Sequence, residues 1–316
     1  MEKLLVHAPA YNTDLSQFGI DKPFALDRGA RVLERLAEDL GRPPEVLSPA
    51  MIPIMDVLLV HNRDYFDSLR EDSAWLSIFD FKQDEYAPEK AIRPLSAILD
   101  DIRLKCGGTR LACETALTTG LAANLGGGYH HAFPGEGRGF CALNDIAIAI
   151  RSLQKSKTIE TAMIVDLDFH QGDGNAVTFE NDETVFTLSV HSREGWPENK
   201  QVSDLDVEIG EEEAHLYLDR TREAVSLALE RMKPDLTIYV AGSDPYEKDV
   251  LPGTRFLKLS LETMRERDRY VLETFYREEL PLAMVFAGGY GPDVWEVHYH
   301  AVKTMLSLKG LIPSRV

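Results

Sequence analysis

Three groups of residues in this chain carry side chains that could do chemistry together. The densest is Asp166-Leu-Asp168-Phe-His170-Gln-Gly172-Asp173, which directly follows the apolar run Ala162-Met-Ile-Val165. Carboxylates and an imidazole crowded at the end of a buried strand are costly unless they are paired or hold a metal. In Asp168-Phe-His170 the i and i+2 side chains of an extended segment point the same way, so both can reach one ion. Asp244, just past Thr237-Ile-Tyr-Val-Ala241, offers a third donor from another strand end. Three such donors suit a metal that keeps one position open for water. Alone, Asp168 reads more readily as a loop cap and His170 as a hydrogen-bonded structural histidine, and the flanking sequence shifts the balance towards a metal.

The second group is Gly126-Gly-Gly128-Tyr129-His130-His131, followed by Gly139-Phe140-Cys141. Tandem imidazoles can serve as general acid and base near neutral pH, and glycines let the backbone pass close to a ligand. Each imidazole needs an orienting partner, and Asp166 and Asp173 are placed to supply one each. The third group is Ala287-Gly-Gly-Tyr290-Gly291, where a phenol at a strand end could polarise a carbonyl opposite a metal. A histidine pair or a turn tyrosine by itself is more often plain surface. The remaining histidines are weaker candidates: His7 and His61 at the core edge, His215 on an exposed helix, His298 and His300 on the last helix, and His191 near a strand end.

The elements that must position these groups alternate along the chain. Strand-like runs are expected at 162–167, 185–190, 236–241 and 282–287. Helices are expected at 26–40, stopping at Gly41, and at 109–123, 142–154, 211–232 and 260–277. Strands alternating with helices imply an α/β fold with a mostly parallel sheet covered on both faces, and its ligands lie outside the carboxyl ends of the strands. The acidic stretch from Asp204 to Glu213 reads as a solvated loop leading into a helix.

With 316 residues, 44% of them hydrophobic, and no linker, repeat or low-complexity stretch, one domain spanning 1–316 is expected. A formal charge of -18 argues against nucleic acid as partner, since such binding needs Lys and Arg to neutralise phosphates. The start of the chain has too short an apolar run for a signal peptide or membrane span, so a soluble, cytoplasmic protein with no membrane partner is expected. Three cysteines without CxxC spacing argue against a disulfide framework or a thiolate zinc site.

Taken in order, GGGYHH, GFCALND, VDLDFHQGDG, AGSDPYEKD and AGGYG resemble the motif set of the zinc-dependent histone deacetylase family over nearly the whole chain. Cys106-Gly-Gly-Thr109, Gln171, Tyr11-Asn12 and the stretch from Phe24 to Gly29 are most similar to its class IV branch. The resemblance implies the arginase-deacetylase fold, a parallel sheet of about eight strands with helices on both faces. It implies one zinc per chain on Asp168, His170 and Asp244, with His130 and His131 as the tandem histidines, Asp166 and Asp173 as their partners, and Tyr290 as the catalytic tyrosine. Gly139 and Phe140 match one wall of an acyl-lysine tunnel, and the aromatic facing Phe140 is unassigned. Asp249 matches the second aspartate of its motif. Backbone oxygens of Asp166, Asp168 and His170 with the Ser189 side chain are similar to a potassium site.

The implied reaction is hydrolysis of an acylated lysine by a metal-activated water, with His131 moving the proton. Leu251 stands where polyamine deacetylases of the family carry an acidic gatekeeper, which favours an acyl-lysine peptide over a small acylated amine such as an acetylpolyamine. Segment 81–105, expected to shape the rim, has no clear match to the peptide-gripping aspartate of the larger classes. Longer acyl chains stay open, as does a catalytically silent acyl-lysine-binding module. The oligomeric state is not legible.

Overall fold

The structure is a computed structural model that describes residues 2–22, 24, 26–81 and 85–312. Residues 82–84 of the expected rim segment lie outside the described residues. Its strands are β1 (Leu5–Val6), β2 (Val46–Leu47), β3 (Leu121–Asn124), β4 (Ala162–Asp166), β5 (Val185–Ser192), β6 (Leu205–Ile209), β7 (Leu236–Val240) and β8 (Leu282–Val285). Together they form one sheet in the order β2-β1-β3-β8-β7-β4-β5-β6, with every pairing parallel. The α/β architecture expected from the alternating pattern is therefore present.

Side-chain alternation along the strands builds two separate cores. In β4, Met163 and Val165 join one apolar cluster while Ala162 and Ile164 join the other. The helices are α1 (Arg28–Leu40), α2 (Ile54–Val57), α3 (Arg63–Ser68), α4 (Asp72–Phe79), α5 (Ile98–Thr119), α6 (Asp145–Lys155), α7 (Asp173–Thr178), α8 (Tyr217–Arg231), α9 (Leu261–Arg277) and α10 (Trp295–Leu308). Helices α1, α8, α9 and α10 cover the face of Met163, and α2 to α6 cover the face of Ile164. Among the described residues, no helix is long and apolar enough to cross a membrane.

Two expectations are corrected. The helix expected over 109–123 ends at Thr119, because Gly120 at φ +83° closes it, and Leu121–Asn124 then form β3 between β1 and β8. Alanine-rich sequence favours helix, but full burial between two strands decides the outcome. The acidic stretch after Asp204 is also not a loop. Leu205–Ile209 pair with β5 as the edge strand β6, with Val207 and Ile209 packing on the core and Glu208 in solvent. Half-burial of an edge strand tolerates the acidic residues between its apolar ones.

Candidate active site

The four central strands β3, β8, β7 and β4 are neighbours, and the loop after each carries one chemical group. After β3 come the three glycines and His130-His131, after β4 Asp168 and His170, after β7 Asp244, and after β8 Tyr290. Residues distant in sequence thus converge at the carboxyl edge of the sheet.

Asp168, His170 and Asp244 are buried, and their donor atoms lie within 4.8 Å of one another. His170 Nδ1 is 2.9 Å from Asp244 Oδ2 and 3.2 Å from Asp168 Oδ1. Backbone amides fix the carboxylates: Gly288 N–H donates to Asp168 Oδ2 at 2.8 Å and Phe169 N–H to Asp244 Oδ1 at 3.0 Å. Space is tight around them. A Cβ on Gly288 would fall 2.4 Å from Asp244 Oδ2 and 2.5 Å from Asp168 Oδ2, so only glycine lets the β8 loop close over the group. Burial works to lower the His170 pKa, but its hydrogen bonds to Asp168 and Asp244 raise it to about 9. Two oxygen donors and one nitrogen, buried and mutually facing, fit a divalent zinc with a position left for water.

Beside this group His130 Nδ1 is 2.7 Å from Asp166 Oδ2, and His131 Nδ1 is 2.6 Å from Asp173 Oδ1. Their ring centroids are 3.9 Å apart, too close for both to carry a proton comfortably. Burial disfavours charge on either ring. For His130 the carboxylates of Asp166 and Asp168 override that and raise it to about 10, whereas His131, buried next to a charged His130, drops to about 4. Burial and the neighbouring carboxylates thus favour charge on His130 and disfavour it on His131.

Tyr290 lines the same cavity, and its backbone N–H donates to Asp249 Oδ2 at 2.7 Å. Burial, with Asp244 and Asp168 nearby, pushes its phenol well above the usual range, so it stays a hydrogen-bond donor. Asp249 also accepts from Leu251 N–H and the Thr254 hydroxyl, and burial near Asp244 raises it to about 7. Leu251 itself is not among the residues lining the cavity. Gly139 and Phe140 do line it. Ser189 stands in register with Asp166, and its hydroxyl is 2.9 Å from His191 Nδ1.

Several contributors were not assigned from sequence. Phe24 packs edge-on against Phe140 at 5.0 Å between centroids and also meets Tyr290 at 5.8 Å. Trp196 stands edge-on to His131 at 4.7 Å, over Gly139, where a Cβ would fall 2.8 Å from the indole. Phe24 thus packs directly on Phe140 in one aromatic wall, while Trp196 stands on the histidine side. Asp145, at the start of α6, accepts from Gly128 N–H at 2.9 Å and Tyr129 N–H at 2.7 Å and holds the glycine loop. It was visible inside GFCALND, without a role. His298 is structural, stacked on Phe286 at 3.9 Å.

Comparison with known proteins finds similarity over most of the chain. Residues 22–306 match the family model described as histone deacetylase domain. Histone deacetylase 2 of Arabidopsis thaliana is 30% identical over 318 residues, covering 98% of this chain and 80% of that protein. The crystal structure of a histone deacetylase homolog complexed with SAHA superposes with a TM-score of 0.73 at 21% identity, covering 98% of this chain and 84% of that one. Acetylpolyamine aminohydrolase from Burkholderia pseudomallei superposes with a TM-score of 0.68 at 19% identity, covering 97% and 99%.

Proposed function

The chain belongs to the histone deacetylase family, and from that premise we propose that it is a zinc-dependent hydrolase removing acetyl or longer acyl groups from lysine side chains of proteins or peptides. The observation that carries the reading is the buried Asp168–His170–Asp244 group set beside two carboxylate-paired imidazoles and a protonated phenol.

Asp168, His170 through Nδ1, and Asp244 would hold the zinc. When bound, zinc acts as a Lewis acid and lowers the pKa of water from about 15.7 towards ~7. His131 takes the proton of the attacking water at Nε2, while Asp173 fixes its Nδ1–H and supports the imidazolium that forms. The Tyr290 hydroxyl donates to the substrate carbonyl oxygen as negative charge builds on it. His130, held by Asp166, adds positive charge without moving a proton. His131 then protonates the departing amine, leaving a carboxylate and a free lysine.

On this reading the catalytic domain spans 1–316, works in the cytoplasm, and falls closest to class IV. Gln171 supports that branch, since its side chain ties the loop after β4 to Gln201 and Asp206 instead of facing the histidines. A potassium ion is assigned to the backbone oxygens of Asp166, Asp168 and His170 with Ser189. Small acylated amines are the second reading, favoured by the charge of -18, which draws cations. Metal analysis combined with hydrolysis of acetyl-lysine and longer acyl-lysine peptides and of acetylpolyamines tests both. One zinc per chain with peptide turnover supports the first reading, cleavage of polyamines alone the second, and no zinc or no turnover refutes both.

A further inference from the structure

The cavity does not end at the catalytic group. Catalytic centre included, it has a volume of about 120 Å³, and its lining continues past the glycine loop to Tyr11, Ile98, Asp101, Ile102 and Lys105. Its inner wall comes from α5 and the turn at Tyr11, far in sequence from the chemistry. Lys105 is 6% exposed, and its stem lies along Gly126, where a Cβ would come within 3.8 Å of its Cγ.

The head group of Lys105 is the anomaly. Among the described residues its Nζ has no hydrogen-bond partner and no carboxylate within ion-pairing distance; it stands over the face of Tyr11, 5.9 Å from the centroid. Asp101 lines the same space, but its Oδ2 accepts from the Thr13 hydroxyl at 3.0 Å. The other cation lining the cavity is Arg28, and its guanidinium is already taken up by the carbonyl oxygens of Gly288 and Ala287. Burial brings Lys105 down to about 8, with Asp101 opposing and Arg28 adding to the shift, so it is still largely charged at neutral pH. Facing the cavity without a protein partner, the Lys105 ammonium offers a charged hydrogen-bond donor to an anion that enters.

An acyl group whose carbonyl sits at Tyr290 must send its tail into this inner space. The lining continues past Gly126, Gly127 and Gly128 to Ile98, Ile102 and Lys105, so the space extends beyond what an acetyl methyl requires. We propose that the inner cavity is a subsite for short dicarboxylic acyl groups, malonyl or succinyl, whose terminal carboxylate pairs with Lys105. The reaction is the same amide hydrolysis: water adds across the C–N bond, and a dicarboxylate and a free amine leave. The inference rests on the deacylase reading above.

The test measures kcat/KM of the zinc-loaded protein on one peptide carrying acetyl, malonyl, succinyl or glutaryl lysine, each dicarboxylic group against an uncharged acyl group of matching length. A charge-assisted hydrogen bond made in the subsite should favour malonyl or succinyl over its uncharged counterpart by roughly 10- to 100-fold. Lys105→Met should abolish or invert that ratio, and Lys105→Arg should keep part of it. Inhibition of the wild-type protein by free succinate but not butyrate gives a readout that needs no variant. Cleavage of acetyl and uncharged acyl groups without preference for the dicarboxylic ones, or a ratio unmoved by Lys105→Met, overturns this inference alone. Failure to cleave any acyl-lysine overturns the deacylase reading and this inference with it.

Discussion

The strand-end loops and the first hundred residues contribute to one cavity in different ways. The loops after β3, β4, β7 and β8 supply every group that would touch the reacting atoms, each from a short contiguous motif on a buried strand. The segment before α5 supplies no such group. It contributes Tyr11, Phe24, Arg28 and Phe79 from short helices and turns, and these shape the space around the chemistry. On the proposed reading, reaction type is set by neighbours within one sheet and choice of substrate by the turns and helix ends laid over its edge.

The strongest attempt to break this contrast removes a strand-end donor. Asp244→Ala should cut bound zinc from one per chain to a trace and bring hydrolysis to background, because one carboxylate and one imidazole remain. Elemental analysis and a peptide assay check it, and a full complement of zinc in the variant would place the metal elsewhere. Next in size, Tyr290→Phe should keep the zinc and lower kcat by roughly 10²–10³, since only the donor to the developing oxyanion is lost. An unchanged kcat would take the phenol out of the mechanism.

The two regions also differ in what a reader of the sequence can recover. Asp168 and His170 stand out because ionisable groups crowded behind an apolar run announce a cost that pairing or a metal relieves, whereas the paired histidines take their expected roles from the family resemblance. The structure brings His130 and His131 within 2.7 and 2.6 Å of Asp166 and Asp173. β3 was misread because Leu121-Ala-Ala-Asn has no strand propensity of its own, and β6 because its acidic residues hide a half-buried alternation. Phe24 and Lys105 could not be placed. A lone aromatic in a turn or a lysine on a helix carries no local sign of what the chain will fold against it.

His61 tests whether the early segment also braces the catalytic loops. Its Nε2 accepts from Asn144 N–H at 2.9 Å and its Nδ1 is 3.0 Å from the Phe133 carbonyl, an arrangement that requires the neutral ring with its proton on Nδ1. Burial holds it at about 4, against roughly 6.5 in the unfolded chain. Between those values the unfolded state binds the extra proton, so stability is fully present above about pH 6.5 and falls as pH drops towards 4. The loss should reach at most about 3 kcal/mol at the acid end. Denaturant melts across that range check it, and His61→Gln should flatten the slope; equal slopes in both proteins would remove His61 as its source.

The smallest effect is the most discriminating. Phe24 forms a bridge with Tyr290 and packs on Phe140 in one aromatic wall of the cavity, yet its ring has no atom to give or take a proton. Aromatic pairs of this kind are worth about 0.5–1.5 kcal/mol beyond area burial. Phe24→Leu should therefore raise KM for an acyl-lysine peptide by roughly 2- to 10-fold while leaving kcat near its original value. If kcat fell as far as in Tyr290→Phe, the early segment would be holding the phenol in its reactive position, and the division between a reacting sheet edge and a selecting overlay would fail. A rise in KM alone means the ring is read only by the bound acyl chain, as the geometry requires of a wall.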